Sequence, residues 1–267
     1  MSLFSLFVSG LIAATPAPAP APAEAPLSVA KEEGVKPVDR VLPRKVLVFS
    51  KTAGFRHDSI PHGIAAVKKL GEAHKFEVEA TEDSKQFTAE NLARFGCVIF
   101  LSTTMDVLDR EQEKAFEGFI QSGGGYVGIH AATDTEYTWP WYTRLVGGQF
   151  ASHPAQQKAA IDKCECGKTH PSTEFLPDRW ERFDEWYNFK NLNPATTKLL
   201  NLDETSYKNG KMGKDHPVAW CHDFDGGRAW YTALGHTKES YTEELFLRHV
   251  LEGIFWAGRW KKEVKKD

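Results

Sequence analysis

Cysteine is scarce in this chain, with four residues in 267, too few for a disulfide framework in a domain of this size. Cys97 lies in an apolar, strand-like run and reads as a small core residue. Cys164 and Cys166 form a C-x-C that lacks the second pair a zinc knuckle needs, and the sequence leaves open whether either pairs with Cys221. Net charge is also missing. Lys plus Arg number 33 against 36 Asp plus Glu, so no cationic field gathers phosphates and no nucleic-acid partner is expected. The apolar stretch Leu3 to Ala14 falls short of the ~20 residues of a membrane span. It has the length of a signal-peptide apolar region, although no Lys or Arg stands between Met1 and that stretch. An alternating Ala-Pro tract comes next, extended and unpacked because every second residue has a fixed φ and no N–H donor.

With 41% apolar residues, the chain can bury a full core. The expected organisation is a signal peptide and Ala/Pro spacer over residues 1–26, a linker over 27–42, one α/β domain over 43–262 and a basic tail over 263–267. The protein is therefore expected to be exported, to a periplasm or to the medium, with no membrane span in the mature chain.

Lys45 to Ser50 is β-branched and apolar without alternation, the pattern of a strand buried on both faces. A helix follows, capped by Asp58 or Ser59, with Pro61 in its first turn and Ile60, Ile64, Val67 and Leu70 on one face. Phe76 to Ala80 is the second strand and Cys97 to Leu101 the third. Asp109 with Gln112 forms a capping box for a helix that buries Ala115, Phe116, Phe119 and Ile120, and Tyr126 to Ile129 is the fourth strand. This alternation predicts a three-layer α/β fold, an open and mostly parallel sheet with helices on both faces, as in flavodoxin-like proteins. Residues 147–213 read as loop-rich, with a strand candidate at Lys198 to Leu202. Val218 to His222 and Ala229 to Leu234 form a hairpin, and a last helix starts at Ser240 with Glu243 as its capping-box partner.

Ligands of open α/β sheets collect beyond the carboxyl ends of the strands. Those ends carry His57 in KTAGFRHDS, Thr104 in STTMD, His130 and Asp134 in HAATDT, and His236 in GHTKES. In GGGYVGIHAATDT a strand runs straight into small residues, as at a nucleophile elbow, but the side chain at the turn is His130. No cysteine stands at the carboxyl end of a predicted strand, which argues against glutaminase chemistry.

The ordered set VFSKTAGFRHDSI, GGGYVGIHAATDT, FDEWYNF, HPVAW and ALGHTKESY resembles the ThuA-like (trehalose utilisation) family, over about Pro43 to Trp260. The resemblance implies the class I glutamine amidotransferase-like fold and catabolism of trehalose or related sugars through 3-keto intermediates. It also implies site positions at His57, His130, Asp134, His153, Asp184, Glu185 and His236. Two chemistries stay open for that set. His130 and His236 can serve as acid and base with Glu185 and Asp134 assisting, in a sugar isomerase, lyase or hydrolase. Alternatively His57, His130, His236 and Glu185 can hold a divalent, zinc-like metal, although no H-E-x-x-H is present. Thr104, Trp139, Trp186 and Tyr187 are candidates for contact with a small-molecule carbohydrate, since ring faces stack on sugar C–H surfaces. The rival reading is a sugar-binding or regulatory module with a degenerate pocket and no turnover.

Overall fold

A computed structural model describes residues 40–261. The signal-peptide and Ala/Pro segment, most of the linker and the basic tail lie outside the described residues. No described helix is long and apolar enough to cross a membrane.

The parallel part begins with β1 (Lys45–Phe49), α1 (Ile60–His74) and β2 (Glu77–Thr81). The short α2 (Ala89–Leu92), β3 (Cys97–Leu101), α3 (Arg110–Gln121) and β4 (Gly125–Ile129) complete it. Asp109 and Gln112 make the expected reciprocal capping box on α3. Phe116 of α3 stacks on Phe100 of β3, while Leu101, the next residue, meets Gly63 of α1, so the two helices cover opposite faces.

Residues 147–213 hold far more strand than their composition suggested. After α4 (Pro140–Val146) come β5 (Gln149–Ser152), β6 (Gln157–Lys163), β7 (Arg179–Asp184), β8 (Asn188–Lys190) and β9 (Thr197–Asp203). The signal in β7, RWERFD, is clean alternation: Trp180, Arg182 and Asp184 are buried and their neighbours exposed. Charge at two of the three buried positions disguises it. β10 (Pro217–Phe224) and β11 (Gly227–Thr232) form the expected hairpin.

Among the described residues, nine strands join in the order β2-β1-β3-β4-β11-β10-β9-β6-β7, and β5 pairs with β8 apart from them. Pairing is parallel from β2 to β11 and antiparallel from β11 to β7. Four reversals restore direction, so the carboxyl end of β7 faces the same edge as those of β1, β3, β4 and β11. Laid flat, β7 would lie about 19 Å from β11 at ~4.8 Å per strand. Yet Asp184, the last residue of β7, accepts a hydrogen bond of 3.1 Å from the backbone of His236, just past β11. The antiparallel extension therefore curls back over the parallel sheet.

The last helix, α5 (Glu244–Ala257), starts later than expected and without the Ser240 capping box. Ser240 sits in a 3-10 turn, its hydroxyl accepts from Arg182, and Glu243 instead takes the Trp180 indole N–H. Tertiary partners outcompete the local cap. Ser59 precedes α1 but makes no side-chain cap, its hydroxyl reaching the carbonyl of Gly235 at 3.4 Å. Cys97, Cys164, Cys166 and Cys221 are all free thiols, which closes the open pairing question in this structure.

His249 of α5 is fully buried, donating from Nδ1 to the Ser172 carbonyl at 2.7 Å and accepting at Nε2 from the Thr232 hydroxyl at 3.2 Å. Burial, reinforced by the Arg182 charge, pulls its pKa down to about 3. The unfolded chain, with a histidine pKa of about 6.5, then binds the extra proton as pH falls, so stability present above that pKa drains away below it. At pH 5 the loss from this group is about 2 kcal/mol. Denaturant midpoints at pH 7.5 and 5 should fall further in the wild type than in His249→Gln; equal falls would refute this.

Candidate functional site

His130 sits where β4 ends, in a 3-10 turn spanning His130–Thr133, with φ of 53°. A non-glycine residue in the left-handed region costs on the order of 1 kcal/mol or more and persists where its surroundings enforce it. Here the carbonyl of His130 accepts from the Tyr231 hydroxyl at 2.8 Å, and its Nδ1–H donates to the Ala233 carbonyl at 2.8 Å. The second bond fixes the tautomer. A carbonyl only accepts, so the neutral ring carries its lone pair on Nε2.

That nitrogen looks into a cluster. Nε2 of His130 lies 3.2 Å from His57 Nε2, 3.0 Å from His236 Nδ1 and 3.5 Å from Glu185 Oε2. His236 Nδ1 lies 3.1 Å from the same carboxylate oxygen. One donor atom from each of His57, His130, Glu185 and His236 falls within 4.8 Å of all the others. This buried group could hold a metal ion.

The loops that deliver these side chains are pinned from behind. Thr104 accepts from the Gly54 N–H and donates its hydroxyl to the Phe55 carbonyl, fixing the β1–α1 loop that carries His57. Asp184 is fully buried and accepts from the N–H groups of Gly235, His236 and Glu185 at 3.0, 3.1 and 3.0 Å. Gly235, at φ of 107°, turns the chain so that two successive N–H groups face this one carboxylate. Arg182 completes the support, its Nη2 3.1 Å from Asp184 Oδ2 and its guanidinium over the Trp180 and Phe246 rings.

The cluster's electrostatics act oppositely on His57 and His236 around one carboxylate. Burial, then the neighbouring His130 and His236 charges, pulls His57 down to about 2. For Glu185, burial alone would raise the carboxyl, but bonds and charges from His130 and His236 outweigh it and hold it well below the usual range. Burial lowers His236, yet the Glu185 bond and charge raise it overall. His57 Nδ1 is buried with no hydrogen-bond partner among the described residues, so that ring is oriented from its Nε2 side.

Around the four lie the remaining candidates. His153, 43% exposed, places Nδ1 3.2 Å from the second Glu185 oxygen. Asp134 accepts from the Tyr137 hydroxyl, and burial pushes its carboxyl up. Tyr187 lies against the His130 ring, centroids 4.4 Å apart. The structure does not bring Trp139 or Trp186 to this group. Trp139 stacks on Trp141 and Tyr142 and bonds Glu117, and Trp186 is buried and bonds the Gln157 carbonyl; both indoles fill core space. Thr104 and Asp184 touch backbone behind the site rather than its opening.

Three participants escaped sequence reading. The Gln156 amide lies 2.7 Å from His236 Nε2, the Ala233 carbonyl orients His130, and Arg182 braces Asp184. Only Arg182 left a signal, in the alternation of β7.

The sequence profile of the ThuA family, described as trehalose utilisation, matches residues 45–257. Among curated proteins none matches the chain. A ThuA-like protein from Bacteroides uniformis superposes with a TM-score of 0.68 at 22% identity, covering 84% of this chain and 95% of that one. A second, from Parabacteroides merdae, gives 0.68 at 22% identity, with 84% and 94% covered. A β-galactosidase from Bacillus circulans shares the fold over 82% of this chain and 32% of its own, at 11% identity and a TM-score of 0.55.

Proposed function

Since the chain belongs to the ThuA family, described as trehalose utilisation, and so has a carbohydrate-related role, we propose that it acts on a glycoside-derived keto-sugar at a zinc-like centre held by His57, His130, His236 and Glu185. The observation that carries the reading is the convergence of four ligand-type atoms, one from each residue, within 4.8 Å of one another. With Nδ1–H of His130 committed to a carbonyl, its Nε2 faces two imidazole nitrogens and an anionic oxygen, an arrangement that a cation relieves. Ligands about 2.0–2.1 Å from a tetrahedral zinc stand about 3.3 Å apart. Four of the six ligand-atom separations, 3.0, 3.1, 3.2 and 3.5 Å, bracket that value, and all six are within 4.8 Å.

A bound divalent ion would supply a Lewis acid to polarise the sugar carbonyl. The proton work then falls to groups beside the ligands. In this reading Asp134, raised by burial and held by Tyr137, would take a proton from the carbon next to that carbonyl, and His153, half open to solvent, would return it elsewhere on the sugar. Isomerisation of a keto-sugar uses this step with the proton returned to carbon or to the carbonyl oxygen, and elimination uses it with the C–O bond at the β carbon breaking and the proton passing to the departing oxygen. Neither needs the nucleophile that the elbow lacks.

Zinc-loaded protein without a histidine tag, incubated with 3-keto-trehalose, should convert it. Asp134→Asn should slow conversion by about 10²–10⁴-fold while retaining the metal. Full turnover in that variant would remove Asp134 from the mechanism. Sugar binding with no conversion by the wild type would favour the non-catalytic module.

A further inference from the structure

Among the described residues four large apolar side chains are markedly exposed, and two of them, Phe55 at 68% and Met105 at 46%, stand together beside the histidine–glutamate cluster. Phe55 meets the His57 ring edge to face, centroids 4.9 Å apart. Met105 belongs to the β3–α3 loop but packs on Gly54, the residue before Phe55. A Cβ on Gly54 would come within 2.6 Å of Met105 Cγ, so only glycine admits that approach.

Neither side chain is left there by a slack loop. Thr104 holds the Phe55 carbonyl at 3.0 Å. Met105, at φ of 60°, is tied on both sides: its N–H donates to the Asp134 carbonyl at 2.7 Å, and its carbonyl accepts from the Glu136 N–H at 3.2 Å. The left-handed backbone and its two hydrogen bonds fix where the thioether emerges, with nearly half of the residue open to solvent. An exposed apolar patch with a polar border is the composition of a ligand groove. The polar border here is the cluster itself, with Asp134, His153 and Gln156 around it.

We infer that Phe55 and Met105 form a shelf for the C–H face of a pyranose ring, whose hydroxyls and carbonyl then turn toward the cluster. This rests on the carbohydrate reading and adds the contact that grips the ring. An apolar face next to hydrogen-bonding edges is the recognition chemistry of a sugar, and an aromatic ring supplies the face at little entropic cost. Phe55 touches the His57 ring but supplies no ligand atom, and it is mostly exposed, so its replacement is expected to leave fold and centre intact.

The test is calorimetric titration of 3-keto-trehalose into the zinc-loaded full chain, each variant and the wild-type reference also carrying Asp134→Asn so that turnover does not mask binding. Phe55→Ala should weaken binding about tenfold and Met105→Ala severalfold, Phe55→Tyr should bind as the wild type does, and all should keep wild-type zinc content. Wild-type affinity in Phe55→Ala, an equal loss in Phe55→Tyr, or loss of zinc on removing Phe55 would each overturn the shelf while leaving the carbohydrate reading standing. A wild type that neither binds nor converts 3-keto-trehalose at millimolar concentration would overturn both.

Discussion

Replacing His130 by alanine is expected to weaken zinc binding by about a thousandfold. Structural zinc sites are worth roughly 10–16 kcal/mol spread over four ligands, or about 2.5–4 kcal/mol each, which converts to a factor of about 70 to 900. His130 should sit at the top of that range, because its Nε2 is the atom nearest to three other donors and its tautomer is already set by Ala233. The buried ring also fills space, so His130→Ala alone confounds metal loss with packing loss. His130→Gly separates them. Glycine adopts the φ of 53° without strain, returning about 1 kcal/mol to the apo protein while removing the ligand. Competition with a calibrated chelator should show both variants equally deficient in zinc, with the glycine variant the more stable to urea. Near-wild-type affinity in either would mean that His130 is no ligand.

The second large effect is on folding. Arg182→Leu should cost about 3–5 kcal/mol, because it leaves the fully buried Asp184 carboxylate without its cation. The double variant Arg182→Leu with Asp184→Asn should recover part of that loss, since no uncompensated charge then remains. Recovery cannot be complete, because Asp184 also receives the N–H groups of Gly235, His236 and Glu185. Those bonds place two of the four cluster residues, so zinc affinity should fall about 10–100-fold in Arg182→Leu even under conditions where the variant is fully folded. Urea midpoints for the two variants, with chelator competition at low urea, check both parts. A double variant less stable than the single one, or unchanged zinc affinity, would contradict the bracing role.

How much of this was legible in the sequence follows from where each piece lies. His57, His130 and His236 could be found because they follow strands of the parallel half, and ligands collect at the carboxyl edge of such sheets. Glu185 and His153 entered through family resemblance, since the segments around them looked loop-rich. The curl that carries β7 back to the edge is a tertiary property, set by packing of Trp180 and Arg182 against the elements around α5. No local pattern encodes it. Asp184 was recognisable as a position but not in its role, because a carboxylate that binds ligand and one that ties down loops look the same in sequence. Trp139 and Trp186 show the converse: indoles close in sequence to site residues point the other way and satisfy their N–H groups at Glu117 and the Gln157 carbonyl. The loop Thr103 to Asp106 read as polar, and nothing in it told that Met105 would pack on Gly54, next to Phe55.

X-ray absorption at the zinc edge tests the central claim most directly, using untagged protein loaded with one equivalent of zinc. Three nitrogen neighbours and at least one oxygen at about 2.0–2.1 Å, with the outer-shell scattering of imidazole rings, is the predicted spectrum. A shell of sulfur at about 2.3 Å would place the ion at the free cysteines instead, and failure to retain an equivalent of zinc would leave the histidine–glutamate cluster without the cation on which this account depends.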